Sequence, residues 1–503
     1  MFDTIFSRHL LMFFLNSALI MKVHKIRTIQ HTITSKGNPY MQNAWVPNYE
    51  EFDVTNLQSK EGIPEDIEGV YLRNTENQIH EPIGRYHPFD GDGMIHSISF
   101  KDGKADYRNR FVETAGFKME QILNQSIWAG LMERGEKSKL PGWGAQGYIK
   151  DSSSTDVVVH SGKVLSTFYQ CGDGYRLDPI TLEQFGRESW VPIDGISSHP
   201  KIDLRTGELL FFNYSKHAPY MHYGVVDSDN NLKHYTPIPL PGPRLPHDMA
   251  FTKNYSIFND LPLFWDGELL KQGIHATTMH DLPARFAIIP RYGTEKDIQW
   301  FEAEPTFVLH WNNAYEDGDE IILEGYFQEE PWPANYKGAP QGLERMMAFL
   351  DLHLLKPSLH RWIFNLKTGA TREEKIDDRV LEFGTINHAY DTTKHRFTYS
   401  CIPTKGLFTF DGFSKHDLTT GNVQTYKFEE NIYGSEIAFA PKLNAKDEDD
   451  GYLVSITTDL NENISEAVLF DAKNLNYGPV CTMPLPHMVC AGTHATWAQI
   501  DEL

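Results

Sequence analysis

At 503 residues with a formal charge of −22 and no basic run, the chain lacks the electrostatic footprint that phosphate backbones require, which excludes nucleic acid as a partner. Hydrophobic residues make up 40% of it, enough to bury a large core without forcing a split into domains. The four cysteines, Cys171, Cys401, Cys481 and Cys490, contain no CxxC pair; they exclude a disulfide framework and point to a reducing, cytoplasmic setting.

The chain opens on an apolar run, Leu10 to Met21, broken only by Asn16 and Ser17. It is too short to span a bilayer as a helix. Asp3 stands against Arg8 ahead of it, and no small-residue cleavage site follows, so the signal-peptide template is poorly met. Residues 1–40 are expected to be a poorly ordered or loosely attached extension. A signal, an anchor and a later start at Met21 or Met41 stay open. Residues 41–503 are expected to form a single domain.

From Met41 onward, short apolar or alternating runs are separated by Gly, Pro, Asn and Asp. Gly69-Val70-Tyr71-Leu72-Arg73-Asn74, Met94-Ile95-His96-Ser97-Ile98-Ser99-Phe100 and Glu320-Ile321-Ile322-Leu323-Glu324-Gly325 read as strands bounded by turns. One turn template recurs at Asp203–Gly207, Asn365–Gly369 and Asp417–Gly421. An Asx side chain closes each turn and glycine supplies the positive φ. Repeated strand–turn–strand units over this length point to an all-β fold, a β-propeller, with a pair of β-sandwiches as the alternative. Helical spacing appears in two inserts: Met119 to Gly130, running on toward Glu133, and Leu343 to Leu350. Both are expected over one face of the propeller.

The common catalytic motifs GxSxG, GxxxxGK[ST], HExxH and H-x-[DE] are absent. The loop Phe89-Asp90-Gly91-Asp92-Gly93 offers too few oxygen ligands for calcium and reads as a tight structural turn. That leaves the 22 histidines, for any one of which a structural role is the default. His199, His247, His310 and His494 share a context: each lies at a turn–strand boundary among small or apolar residues. Four inward-facing imidazoles on one axis would make a metal site. Periodicity alone does not separate them from His160, His388 or His487.

The segments around these histidines are similar to those of the carotenoid cleavage oxygenases, a family that includes the retinal-pigment-epithelium isomerases and the lignostilbene dioxygenases. The resemblance runs from about Gly69 to Trp497. It is carried by Gly69–Asn74, Arg85–Met94, Ser198-His199-Pro200-Lys201, Pro246-His247-Asp248, His310–Glu316, Glu448–Leu453 and Thr493-His494-Ala495-Thr496-Trp497. It implies a seven-bladed β-propeller with a helical and loop dome over one face. It also implies Fe(II) held by His199, His247, His310 and His494, with Glu382 behind His310 and Glu436 behind His494. A third supporting glutamate is implied behind His247. Counting along the chain reaches Gln170 or Tyr169 there, and neither is a carboxylate; Gln170 could still accept from the imidazole.

The implied activity is O₂-dependent cleavage of a C=C bond in a carotenoid or apocarotenoid, an apolar conjugated small molecule, to two carbonyl products. Peripheral contact with a membrane is compatible with such a substrate. Stilbenoid or phenylpropanoid cleavage is the alternative, weakened because stilbene-cleaving relatives carry a lysine where this chain has Phe168-Tyr169-Gln170. A non-catalytic propeller used for binding is the second alternative.

Overall fold

Antiparallel strands dominate the computed structural model, which describes residues 20–34, 37–140, 149–271, 277–332 and 342–503. Most of them group into four-stranded meanders. Asp156–His160, Lys163–Thr167, Tyr175–Leu177 and Gln184–Arg187 form one such sheet, and Lys201–Asp203, Glu208–Tyr214, Met221–Val226 and Leu232–Pro237 the next. Two further sheets begin at Ala250–Phe251 and at Trp311–Asp317. A nine-stranded sheet contains two meanders, beginning at Glu382–Thr385 and at Ala438–Pro441 and linked through Ile432–Gly434.

Burial falls from the first strand of a meander to the last. Asp156–His160 is almost wholly buried, whereas Gln184–Arg187 alternates between half-buried and exposed. Val423–Lys427 and Thr371–Lys375, each the last strand of its meander, are likewise at the surface. The hydrophobic core accordingly lies between neighbouring sheets. In one cluster Phe286, Trp311, Trp362 and Phe364 interdigitate from two of them.

The recurrent turns form as their residues dictate. Gly207, Gly369 and Gly421 sit at φ of 70°, 73° and 74°. Their amides donate to the carbonyls of Asp203, Asn365 and Asp417 at 2.8–2.9 Å. The Phe89–Gly93 loop is a structural turn in which Asp90 accepts from the amides of His87 and Leu131 at 3.0 and 2.9 Å, while Asp92 pairs with the buried Lys150 at 2.5 Å.

The first and last parts of the chain share a sheet. Ala495–Gln499 pairs antiparallel with Gly69–Asn77, with Gly69 opposite Gln499 and Arg73 opposite Ala495. All nine residues of Gly69–Asn77 are buried, which fits a strand covered on both faces. Within the first forty residues, Lys22–Thr28 forms an exposed strand on Glu50–Thr55 at the outer edge of this sheet. Most of the Leu10–Met21 run lies outside the described residues. Among those that are described, no helix is long and apolar enough to cross a membrane. All four cysteines are buried thiols outside any disulfide.

The first helical insert starts and stops earlier than its spacing predicts. The helix covers Ala115–Leu123 rather than running from Met119 to Gly130. Thr114 caps it by accepting from the Phe117 amide, and Asn124 ends it in the left-handed conformation at φ 50°, so local capping overrides the apolar period. The second insert is a 3₁₀ helix, Gly342–Leu350, followed by Leu352–Leu355.

Gly69 is the tightest point of the closing pair. It sits at φ 148°, and a Cβ there would lie 2.4 Å from the Trp497 ring and 2.6 Å from the Ala498 carbonyl. Gly69→Ala should destabilise the fold by roughly 1–3 kcal/mol, read as a lower thermal unfolding temperature. Gly37→Ala, with nothing within 4 Å of the new Cβ, should leave it unchanged.

Candidate metal centre

His199, His247, His310 and His494 come together at the starts of first strands. His199 stands two residues ahead of Lys201–Asp203 and His247 three ahead of Ala250–Phe251. His310 immediately precedes Trp311–Asp317, and His494 immediately precedes the closing strand Ala495–Gln499. The ladder reaches His494 itself, whose carbonyl accepts from the Asn74 amide at 2.9 Å. One ring nitrogen from each histidine lies within 4.8 Å of those of the other three. Ring centroids are 4.4 Å apart for His199 and His494, and 5.1 Å for His247 and His310.

His199 adopts φ 64°, a left-handed conformation that costs a non-glycine residue roughly 1–3 kcal/mol and persists only where surroundings impose it. Asp156 imposes it. Its Oδ2 accepts from the His199 amide at 3.1 Å and from the His199 Nδ1 at 3.0 Å. Spacing and family pattern had not singled out Asp156. It lies 43 residues from its partner, and the only local sign of it was its place at the head of a strand.

Glu382 is the first residue of Glu382–Thr385 and is fully buried. Its Oε2 accepts from His310 Nδ1 and from the Phe383 amide, both at 2.7 Å. Glu436 lies 3.3 Å from His494 Nδ1 and also accepts from the Ala495 amide. Phe383, at φ 52°, stacks on the His494 ring with centroids 5.0 Å apart. Asp248 is a second residue the spacing did not reveal. It pairs with Lys201 at 2.7 Å and accepts from the Trp311 amide at 3.0 Å, tying together the three strands that carry His199, His247 and His310.

The position expected to support His247 differs. Gln170 is buried in the same cavity as His247, but its Oε1 accepts no hydrogen bond. The Gln170–His247 bond open to the sequence is therefore not formed. Tyr169 lines that cavity too, its ring edge-on to Phe89 at 5.9 Å.

The electrostatics of the cluster favour a cation. Burial pushes His199 and His310 well below the ordinary histidine range and His247 down to about 3. These rings are thus neutral, with a lone pair to offer, near neutral pH. At His494 burial acts in the same direction but is outweighed by Glu436, Asp156 and Glu76, and the net shift is upward. Burial raises Glu382 well above the carboxylate range.

Two further observations test the fit of a metal. His310 Nε2 is buried with no hydrogen-bond partner, and His199 Nε2 faces His247 Nε2 at 3.3 Å. Inward nitrogens that meet one another or nothing, with carboxylates on the outer nitrogens of His199, His310 and His494, suit a divalent transition metal.

Two cavities meet at the cluster. One is polar and reaches His199, His310 and His494 past Lys201, Asp248, His388, Asp391 and Glu502. The other reaches His247, His310 and His494 and is walled by Trp265, Phe307, Phe349, Phe383 and Phe408. Among the described residues no Asp, Glu, Lys or Arg lines it.

His310→Ala should abolish stoichiometric metal uptake, measured by elemental analysis of protein loaded without oxygen. Glu382→Gln, which keeps the shape but not the charge, should weaken metal affinity by roughly 10–100-fold without changing the circular-dichroism spectrum.

Residues 45–499 match the family model for the retinal pigment epithelial membrane protein. The carotenoid 9,10(9',10')-cleavage dioxygenase of Crocus sativus is 30% identical, the alignment covering 93% of this chain and 90% of that one. The isoeugenol monooxygenase of Pseudomonas nitroreducens is 29% identical over 92% and 98%. Among solved structures, the Pseudomonas brassicacearum lignostilbene dioxygenase shares the fold with a TM-score of 0.81 at 23% identity, over 93% of this chain and 100% of that one. A Synechocystis apocarotenoid oxygenase does so with a TM-score of 0.78 at 24% identity, over 91% and 98%. A match of this extent, on a chain whose histidines converge as a metal would require, places the protein in the retinal pigment epithelial membrane protein family, the non-haem iron oxygenases that include the carotenoid cleavage dioxygenases.

Proposed function

We propose that this protein is an Fe(II)-dependent dioxygenase that cleaves a C=C bond of a carotenoid or apocarotenoid with O₂, one oxygen atom going to each of two carbonyl products. The observation that carries this reading is the uncharged aromatic cavity opening directly on the four-histidine cluster. His199, His247, His310 and His494 are the iron ligands, with Glu382 and Glu436 holding the His310 and His494 rings. The meanders are read as the blades of a seven-bladed propeller with these residues around its axis. Iron would supply the one-electron chemistry that lets O₂ react with a closed-shell alkene.

The chain's own residues do the rest. The phenyl rings of Phe307, Phe349, Phe383 and Phe408 exclude water and hold a rigid polyene by dispersion and burial. Met346, Phe349, Leu350 and Leu355 of the 3₁₀ and helical insert form part of the same wall, so this segment is the dome over the substrate. The exposed Met119, Ile122 and Leu123 of the Ala115–Leu123 helix offer a peripheral contact to the lipid in which such substrates dissolve.

A phenylpropanoid or stilbenoid substrate is the second reading, favoured by Tyr169 among the residues lining the cavity. Among the described residues no Lys or Arg lines the cavity to meet a phenolate, which supports the carotenoid reading as the first. Its polar groups nevertheless include Gln328, whose amide nitrogen and oxygen are both buried without a partner. Such groups cost roughly 1–3 kcal/mol each when left unmade, so the substrate should bear a hydroxyl or carbonyl.

O₂ uptake and product mass spectrometry on carotenoids, apocarotenoids and stilbenes, with Fe(II)-loaded protein, test the assignment. Two carbonyl fragments from a carotenoid or apocarotenoid are expected. Turnover of none of the panel would overturn it, and turnover of stilbenes alone would select the second reading. Gln328→Leu should raise KM roughly 10-fold for an oxygen-bearing substrate, equivalent to one hydrogen bond, and leave that for its hydrocarbon counterpart unchanged.

A further inference from the structure

We infer that Asp156 is the third carboxylate of the metal centre and a positioning residue for His199, so that the site keeps three acidic supports although the position nearest His247 is the neutral Gln170. This rests on the reading of the four histidines as metal ligands.

Each meander contributes one residue at the head of its first strand. His199, His247, His310 and His494 come from four sheets. Asp156 and Glu382 head the first strands Asp156–His160 and Glu382–Thr385, and Glu436 stands two residues ahead of Ala438–Pro441, in the remaining meanders. Every carboxylate then supports a histidine carried by an adjacent first strand. Asp156–His160 packs beside Lys201–Asp203, Trp311–Asp317 beside Glu382–Thr385, and Ala438–Pro441 beside Ala495–Gln499. His247 stands in chain order between the His199 and His310 sheets, whose first strands carry a histidine rather than a carboxylate at the head.

Asp156 is built for the task. Its two oxygens accept three N–H groups: the His199 ring and amide on Oδ2, and the Val157 amide on Oδ1 at 2.7 Å. No donor in this set needs the aspartate to carry a proton. The bond to Nδ1 fixes which His199 nitrogen faces inward, and the bond to the amide holds the left-handed backbone that aims the ring.

The location of the charge also matters for the substrate. Asp156 and Glu436 line the polar cavity, whereas Gln170 lines the apolar one. A glutamate at position 170 would put a formal charge in the wall that receives the polyene. Asp156 supplies that charge from the polar cavity, where its oxygens are met by the His199 and Val157 N–H groups.

The test compares the wild type with Asp156→Asn, Gln170→Ala and the double variant Asp156→Asn/Gln170→Glu. Fe(II) and Co(II) affinities are measured by chelator competition, and the Co(II) visible spectrum reports the ligand geometry. Asp156→Asn should weaken both metals by roughly 10–100-fold and shift the Co(II) bands. Gln170→Ala should change affinity less than about 3-fold. The double variant should regain affinity by returning the charge, yet keep the shifted bands because the His199 ring is still unsupported.

A folded Asp156→Asn protein with wild-type affinity and an unshifted spectrum would overturn the inference. If that variant does not fold, Asp156→Glu, which keeps the charge but moves the carboxylate, decides: wild-type bands would overturn the inference, and shifted bands support it. A wild-type protein that takes up no metal would overturn the ligand assignment itself and the role of Asp156 with it. Metal uptake without turnover would count against the substrate reading and leave Asp156 untouched.

Discussion

Closure of the chain on itself is the constraint on which the rest depends. Ala495–Gln499 adds to Gly69–Asn77, and the ladder extends through the Asn74–His494 bond. One histidine of the cluster is therefore set by the last strand of the chain pairing with one of the first. Pairing so distant in sequence is entropically expensive and slow to form. It also removes an exposed sheet edge. The cluster can be complete only when the fold is.

Within that frame the centre is held by charge as much as by packing. Four imidazoles crowd to centroid separations near 5 Å, an arrangement that cannot accumulate protons. Glu382, Glu436 and Asp156 hold three of the rings by their outer nitrogens and turn the inner ones toward one another. Asp248, bound to Lys201 and to the Trp311 amide, keeps the three ligand-bearing strands in register. Left-handed His199 and Phe383 are affordable only because these bonds over-determine them.

The two cavities give the cluster its two faces. On one side Lys201, Asp391 and Glu502 make an aqueous approach. On the other, aromatic rings make a dry one. The alkene proposed as substrate fits the dry side, and keeping it apart from the polar approach excludes water from the carbons that would react.

The sequence by itself determined the local and the typological parts of this protein. Asx–Gly turns at Asp203–Gly207, Asn365–Gly369 and Asp417–Gly421 were legible because backbone conformation there depends on a few adjacent residues. The four histidines and Glu382 and Glu436 were legible through family segments that surround them. The Ala115–Leu123 helix was misplaced by several residues, because capping by Thr114 and Asn124 outweighed the apolar period that marked Met119 to Gly130. Only the tertiary structure decided that Asp156 backs His199, that Gln170 makes no bond to His247, and that one wall of the centre is charged and the other is not. The physical reason is the same in each case. Those properties belong to side chains from different sheets meeting at strand heads, and no spacing along one chain encodes a distance across an axis.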